Sequence, residues 1–135
     1  MKKVATFGEI LLRLATPNKE RILQAKNFDA DYGGGEYNVA VSLSQFGVPT
    51  KFVTALPDNA VGDSAMFRIK GFGIDSSSIV RQGDRMGLYF LEHGAAMRAS
   101  KVVYDRARSS ISEIKLGDID WEKAFNGIDL SLIHI

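Results

Sequence analysis

The chain has 135 residues, 45% of them hydrophobic, and 17 basic against 16 acidic side chains give a net charge of +1. This composition predicts a folded domain with a core, and the near-neutral charge gives no indication of a nucleic-acid or membrane partner. The absence of cysteine excludes disulfides, thiolate metal sites and cysteine nucleophiles. The first apolar segment is too short for a signal peptide or a membrane span, so we expect a soluble cytoplasmic protein.

Short β-like segments alternate with helical ones through the first half of the chain. Residues 4–15 predict one strand, which ends before Pro17. Residues 21–32 alternate loosely and predict a second, more exposed strand. Residues 51–56 predict a compact third strand before the turn at 57–59.

Two helices are predicted next to these strands. The first follows the three consecutive glycines at 33–35 and ends at Gly47. Its apolar face is expected to consist of Val39, Ala40, Leu43 and Phe46. The second helix covers residues 61–72 and ends at Gly73.

The second half of the chain predicts a hairpin, a short helix and a last strand. Residues 88–92 and 102–104 are β-rich and are separated by a small-residue segment, which is typical of a hairpin. Asp118 or Asp120 is expected to cap a short helix that ends at Gly127. Residues 130–135 predict a buried strand.

The order of these segments predicts an α/β fold. Alternating strands and helices indicate a parallel sheet with crossover helices, and the extra β-rich segments fit a small separate sheet. A buried strand at the end of a chain has lost its neighbour and its crossover, so we expect the sequence to be a truncated part of a longer domain.

The glycines at 33–35 and Asn38 form the most informative motif. Glycines directly before a helix allow close backbone approach to a ligand and direct helix N–H groups at an anion or a hydroxyl. Asn38, on the first turn, can both donate and accept hydrogen bonds. An ordinary glycine-rich turn at a helix start explains the same residues equally well.

Other familiar motifs are absent. No glycine is followed by lysine, so there is no Walker-type phosphate loop. His93 and His134 do not have the spacing of a metal site, and His93 is expected to be a solvated loop residue. We therefore expect no metal bound by protein side chains alone.

The predicted hairpin brings a second group of polar residues together. Tyr104 and Arg106 are two positions apart, so on a strand they point to the same face, and Tyr89 on the other arm can join them. Tyrosine hydroxyls and a guanidinium suit a small ligand with hydroxyls and a carboxylate. The pattern alone favours ordinary strand residues with a solvated edge charge.

Residues 33–40 are similar to the first signature of the ribokinase-like carbohydrate kinases, in which a Gly-Gly pair, Asn and Ala open the first long helix. Gly8-Glu9 resembles the end of the opening strand of that family, and Gly62-Asp63 resembles its next helix entrance. These features follow one another in the family's order over nearly the whole chain.

Within the family, residues 87–92 and 102–107 resemble the 2-keto-3-deoxygluconate kinases. The resemblance implies a ribokinase-like parallel sheet with crossover helices and a small β-sheet lid, truncated at the C-terminus. Residues 1–135 would be the N-terminal part of the kinase domain, with lid strands at approximately 10–32 and 87–107.

The resemblance also implies an activity and a set of site residues. In the intact enzyme, ATP would phosphorylate a hydroxyl of a sugar acid with the help of magnesium. Gly34 and Asn38 would bind substrate hydroxyls, while Tyr89, Tyr104 and Arg106 would cover the sugar acid from the lid, with Arg106 near its carboxylate. Lid strands in such kinases commonly pair between subunits, which implies a homo-oligomer.

The family's catalytic aspartate, its neighbouring helix start and its ATP site have no counterpart in this sequence, so we expect them beyond the C-terminus. The chain alone is therefore predicted to be inactive and to bind neither ATP nor magnesium. Two alternatives stay open: a kinase of the same family acting on fructose, ribose or a nucleoside, and a non-catalytic, self-associating sugar-binding fragment. The lid pair Tyr104 and Arg106 distinguishes the first alternative, because a neutral sugar does not require a guanidinium partner.

Overall fold

The computed structural model describes residues 1–133. In chain order the elements are β1 (Val4–Phe7), β2 (Leu11–Ala15), β3 (Asp29–Gly33), α1 (Gly35–Gln45), β4 (Thr50–Val53), β5 (Ala55–Leu56), α2 (Ala60–Gly71), β6 (Val80–Arg81), β7 (Leu88–Glu92), β8 (Lys101–Asp105), α3 (Trp121–Phe125) and β9 (Leu130–Ile133). The mixed α/β class predicted from the sequence is confirmed. No helix in this part of the chain has the length and hydropathy that a membrane span requires.

The central sheet is parallel and has the order β4-β1-β9. Val4 pairs with Thr50 on one side and with Leu130 on the other, so β1 lies in the middle. Residues of α1 pack over β1 and β4, and Phe52 and Ile69 are fully buried in the core. The predicted parallel sheet with crossover helices is confirmed.

A second sheet of order β3-β2-β7-β8 lies apart from the central one. β2 pairs antiparallel with β3 and parallel with β7, and β7 and β8 form the predicted antiparallel hairpin. His93, at the hairpin end, is exposed as expected. We call this four-stranded sheet the lid.

Two predicted strands each divide between sheets. The strand predicted at residues 4–15 is broken at Gly8 and Glu9, where the chain leaves the central sheet for the lid. Gly8 lies against the side chain of Glu36, so closely that a Cβ would overlap it. Residues 51–56 likewise divide between β4 and β5, and β5 pairs with β6 in a small third sheet.

Two further strand predictions were wrong in part. Of residues 21–32, only the end becomes β3, because residues 21–25 form a turn closed by hydrogen bonds to the Arg21 carbonyl. The last predicted strand is present as β9, but it is exposed rather than buried, with Leu130 63% accessible. β1 pairs with one edge of β9, and no described element covers the faces of β9. Its last two predicted residues, His134 among them, lie outside the described residues.

Both longer helices form where expected, but the predicted face of α1 was wrong in part: Ala40 is buried and Leu43 is half-buried, as expected, while the other two positions are not. Phe46 is 82% exposed and Val39 is also exposed, whereas Tyr37 and Ala40 are buried. The helix is rotated so that the Tyr37 ring packs on Phe52, with ring centroids 5.8 Å apart. α2 begins at Asn59, whose side chain accepts two backbone N–H groups, and α3 is capped by Asp120.

Candidate functional site

A cavity of about 560 Å³ lies between the central sheet and the lid. It opens at the carboxyl end of β1, which is where ligands bind in open α/β sheets. The residues that line it come from the β1 end, the start of α1, the lid hairpin and the segment after it: Phe7, Gly8, Glu9, Leu11, Gly34, Gly35, Glu36, Asn38, Tyr89, Val102, Tyr104, Arg106, Ile111, Ser112 and Ile133.

The floor of the cavity depends on close backbone contact at Gly34. A Cβ at this position would overlap the backbone carbonyl oxygen of Glu9, so only glycine fits. Gly34 is also the N-cap of α1, and no side chain caps this helix end. The first N–H groups of α1 therefore lie beside the cavity with their hydrogen-bonding capacity available to a ligand.

Asn38 lies on the first turn of α1, and its side chain is exposed beside the cavity. The backbone N–H of Asn38 donates to the Gly34 carbonyl at 2.8 Å, as part of the regular helix. The side-chain amide of Asn38 is therefore the group that it contributes to the site. The glycines and Asn38 are thus brought together as the motif predicts.

The two tyrosines of the lid lie opposite each other on β7 and β8. Tyr89 and Tyr104 are register partners, and their ring centroids are 5.8 Å apart. The Tyr89 hydroxyl reaches the start of α1, where a Cβ on Gly33 would lie 2.6 Å from it. The absence of a side chain at Gly33 therefore gives the hydroxyl its place at the cavity wall.

Arg106 follows β8 and turns back over the cavity. Its Nε donates to Glu9 Oε2 at 2.8 Å, its Nη2 lies 2.5 Å from the same oxygen, and its guanidinium carbon is 5.7 Å from the centroid of the Tyr104 ring. The sequence placed Arg106 next to Tyr104 correctly, but it gave no indication that Glu9 is its partner.

Glu9, Glu36 and Ser112 are polar cavity residues that sequence reasoning missed. Glu36 is buried in the first turn of α1 against Gly8. In the sequence, Gly8-Glu9 was recognised only as similar to the end of the family's opening strand. The residues that contact this pair in the structure, Glu36 and Arg106, are distant in sequence. For Glu36, the signal was an acidic residue directly after the three glycines, in the first turn of the predicted helix.

Near the floor, burial raises the pKa of Tyr37 to about 12, an effect that Asp31 and Tyr32 reinforce and Arg68 opposes. At the outer end of β8, the Arg85 guanidinium donates to Asp105 at 2.9 Å and lowers the pKa of that exposed carboxyl. Neither group lines the cavity.

No three His, Cys, Asp or Glu side chains within residues 1–133 lie close enough together to hold a metal ion.

The sequence pattern of the pfkB family carbohydrate kinases matches residues 1–131, which is almost the whole chain. The chain belongs to this family. The resemblance to ribokinase-like sugar kinases seen in its glycine motif is thereby confirmed.

Relatives of this pfkB-family chain include enzymes that act on sugar acids. It is 35% identical over 112 residues to a 2-dehydro-3-deoxygalactonokinase of Haloferax volcanii, covering 82% of this chain and 35% of that protein. The crystal structure of 2-dehydro-3-deoxygluconokinase from Thermotoga maritima is 51% identical, with a TM-score of 0.95 over 98% of this chain and 41% of that one. A pfkB carbohydrate kinase from Listeria grayi is 39% identical, with a TM-score of 0.94 over 98% of this chain and 41% of that one.

The pfkB-family chain described here thus spans well under half the length of these relatives. A more distant structure, a sugar kinase from Pyrococcus horikoshii in complex with ATP, shares the fold at 20% identity with a TM-score of 0.87, over 96% of this chain and 42% of that one.

Proposed function

We propose that this chain is the substrate-binding part of an ATP-dependent sugar-acid kinase whose substrate is 2-keto-3-deoxygluconate or a close stereoisomer. The observation that carries the proposal is that Gly34, Asn38, Tyr89, Tyr104 and Arg106 line a single cavity. Relatives named for 2-dehydro-3-deoxy sugar acids support the same substrate class.

The groups around the cavity match the chemistry of such a molecule. Two phenol hydroxyls, the Asn38 amide and the first N–H groups of α1 suit the hydroxyls and the keto oxygen of the sugar chain. Arg106 supplies a planar cation, which is the preferred protein partner of a carboxylate. A site for a neutral sugar would gain nothing from a guanidinium at this position.

Calorimetric titration of the chain with 2-keto-3-deoxygluconate tests the proposal, with gluconate and fructose as controls. We expect saturable binding of the keto acid and weaker or no binding of the controls. Binding of fructose in preference to the acid would favour a fructokinase-like enzyme instead. Absence of heat with every sugar would contradict a preformed site in this part of the protein.

For the whole enzyme, we propose that the catalytic base and the sites for ATP and magnesium belong to the part of the fold that this chain does not contain. The chain alone should then be inactive. ATP-dependent turnover by a pure sample, abolished by Tyr104→Phe, would contradict this. A cytoplasmic location follows for a kinase that consumes ATP.

We also propose that two copies associate through their lids. β8 is an edge strand of the lid with exposed Val102, Val103 and Tyr104, a combination that favours pairing with another strand. Light scattering after size-exclusion chromatography should show a dimer that Val103→Lys converts to a monomer. A parent chain that is monomeric at high concentration would contradict the proposal.

A further inference from the structure

The Glu9 carboxylate lies under the lid, where the chain leaves the central sheet. Its side chain is only 10% exposed, and the lid backbone lies so close that a Cβ on Gly87 would overlap its Oε1. An ionised carboxylate that is buried to this extent is stable only with a cation beside it. Arg106, 97 residues further along the chain, provides that cation.

This ion pair fixes the direction of the guanidinium. Nε and Nη2 of Arg106 both contact Glu9 Oε2, and the guanidinium lies near the ring of Tyr104. Because a guanidinium is planar and rigid, holding two of its nitrogens determines where the third one points. Within residues 1–133, no protein acceptor contacts Nη1.

The second oxygen of Glu9 makes the pairing with Arg106 more important. Oε1 is buried, belongs to a residue that lines the cavity, and has no hydrogen-bond partner among the described residues. A buried polar atom without a partner is costly, so among the described residues the contacts of Arg106 with Oε2 carry the stabilisation of this carboxylate.

We infer that Glu9 is a positioning residue that holds Arg106 so that its Nη1 amine faces the carboxylate of the sugar acid. Arg106 can serve two carboxylates at once because its five N–H groups lie on more than one edge. Glu9 would thereby contribute to the selection of acids over neutral sugars. The inference rests on the proposed function.

The opposite role for Glu9 makes the opposite prediction. If Glu9 merely occupied Arg106 in the empty site, the substrate carboxylate would have to displace it, and removing its charge would tighten binding. If Glu9 positions Arg106, removing the charge loosens the guanidinium and weakens binding. The sign of one measurement therefore separates the two roles.

The first experiment is calorimetric titration of Glu9→Gln, which keeps the size of the side chain. We expect binding of 2-keto-3-deoxygluconate to weaken roughly tenfold, the size of one charge-assisted hydrogen bond. The neutral methyl ester of this acid should bind to Glu9→Gln as tightly as to the parent. The affinity of Glu9→Asp for the acid should lie between those of the parent and Glu9→Gln. Asp105→Asn removes a nearby exposed charge that pairs with Arg85 instead, so it is the matched control and should bind like the parent.

The second experiment needs no ligand. ¹⁵N relaxation of the Arg106 Nε–H group should show an ordered side chain in the parent and a mobile one in Glu9→Gln, with circular dichroism confirming that both are folded. Equal mobility in the two proteins, or binding by Glu9→Gln that is unchanged or tighter, would overturn the inference. A parent chain that binds no sugar would refute the proposed function, while the relaxation comparison would still decide the role of Glu9.

Discussion

Replacing Gly34 with alanine should destabilise the fold, whereas the same change at Gly35 should not. A Cβ at Gly34 would overlap the backbone carbonyl oxygen of Glu9, but a Cβ at Gly35 would have no heavy atom within 4 Å. Because the obstacle at Gly34 is backbone, no side-chain rotation relieves it. The two adjacent residues thus form a matched pair in which only one change is costly.

The magnitude follows from this contact. Forcing an extra methyl group into a well-packed site costs about 1–3 kcal/mol in free energy of unfolding. With a urea dependence of about 1–3 kcal/mol per molar for a small protein, the midpoint should fall by about 1 M. Gly35→Ala should stay within about 0.5 kcal/mol of the parent, as for other changes at unhindered positions.

Urea unfolding followed by circular dichroism measures both variants under identical conditions. Equal midpoints for the parent and Gly34→Ala would show that the backbone at Glu9 and the start of α1 can separate freely, and would refute the close packing described at the cavity floor. A fall in midpoint of the same size in Gly35→Ala would show that any substitution at the start of α1 destabilises the fold, whether or not it meets the Glu9 carbonyl.

Three further predictions concern other parts of the fold. Asn59→Ala removes the acceptor of two N–H groups at the start of α2, so thermal unfolding should show a loss of about 1 kcal/mol, and an unchanged melting temperature would contradict the cap. Gly33→Ala should displace the Tyr89 hydroxyl, because the new Cβ would overlap it, and should weaken sugar-acid binding in calorimetry. Adding Tyr89→Phe removes that hydroxyl and should restore part of the affinity. No recovery in the double variant would show that the new methyl group overlaps a different atom. The pKa of Tyr37 is raised from its ordinary value of 10.0 to about 12, so the neutral phenol stabilises the fold fully below pH 10, and this contribution is lost as the pH rises through 12. The fall in urea midpoint between pH 9 and pH 11.5 should therefore be smaller in Tyr37→Phe than in the parent. An equal fall in the two proteins would exclude this phenol as the cause.

Local patterns in the sequence were sufficient for the type of most elements. The glycine stop at Gly47 and the hairpin of β7 and β8 depend on residues close together in the chain, and both were predicted. The cap of α3 was narrowed to Asp118 or Asp120, and the structure has Asp120. The division of residues 4–15 was not predictable in this way. It depends on the contact of Gly8 with Glu36, and a continuous β-like segment does not reveal where a chain changes sheets.

The same distinction applies to the face of α1 and to the cavity. Val39 and Phe46 have the spacing of a buried stripe, but Tyr37 is buried instead and its ring packs on Phe52. This contact joins α1 to β4, so the spacing within the helix does not reveal it. In the cavity, the residues carried by recognisable motifs were found. Glu9 was missed since its partner Arg106 is 97 residues away in the sequence, and no local pattern connects the two.

The position of β1 in the middle of the central sheet also governs when the sheet can form during synthesis. β1 is the first strand made, yet its neighbour β9 begins at Leu130. At about 5–20 residues per second, the ribosome needs on the order of ten seconds to make the intervening chain. During that time one edge of β1 has unpaired N–H and C=O groups, which leaves it open to chaperones or to pairing with another copy.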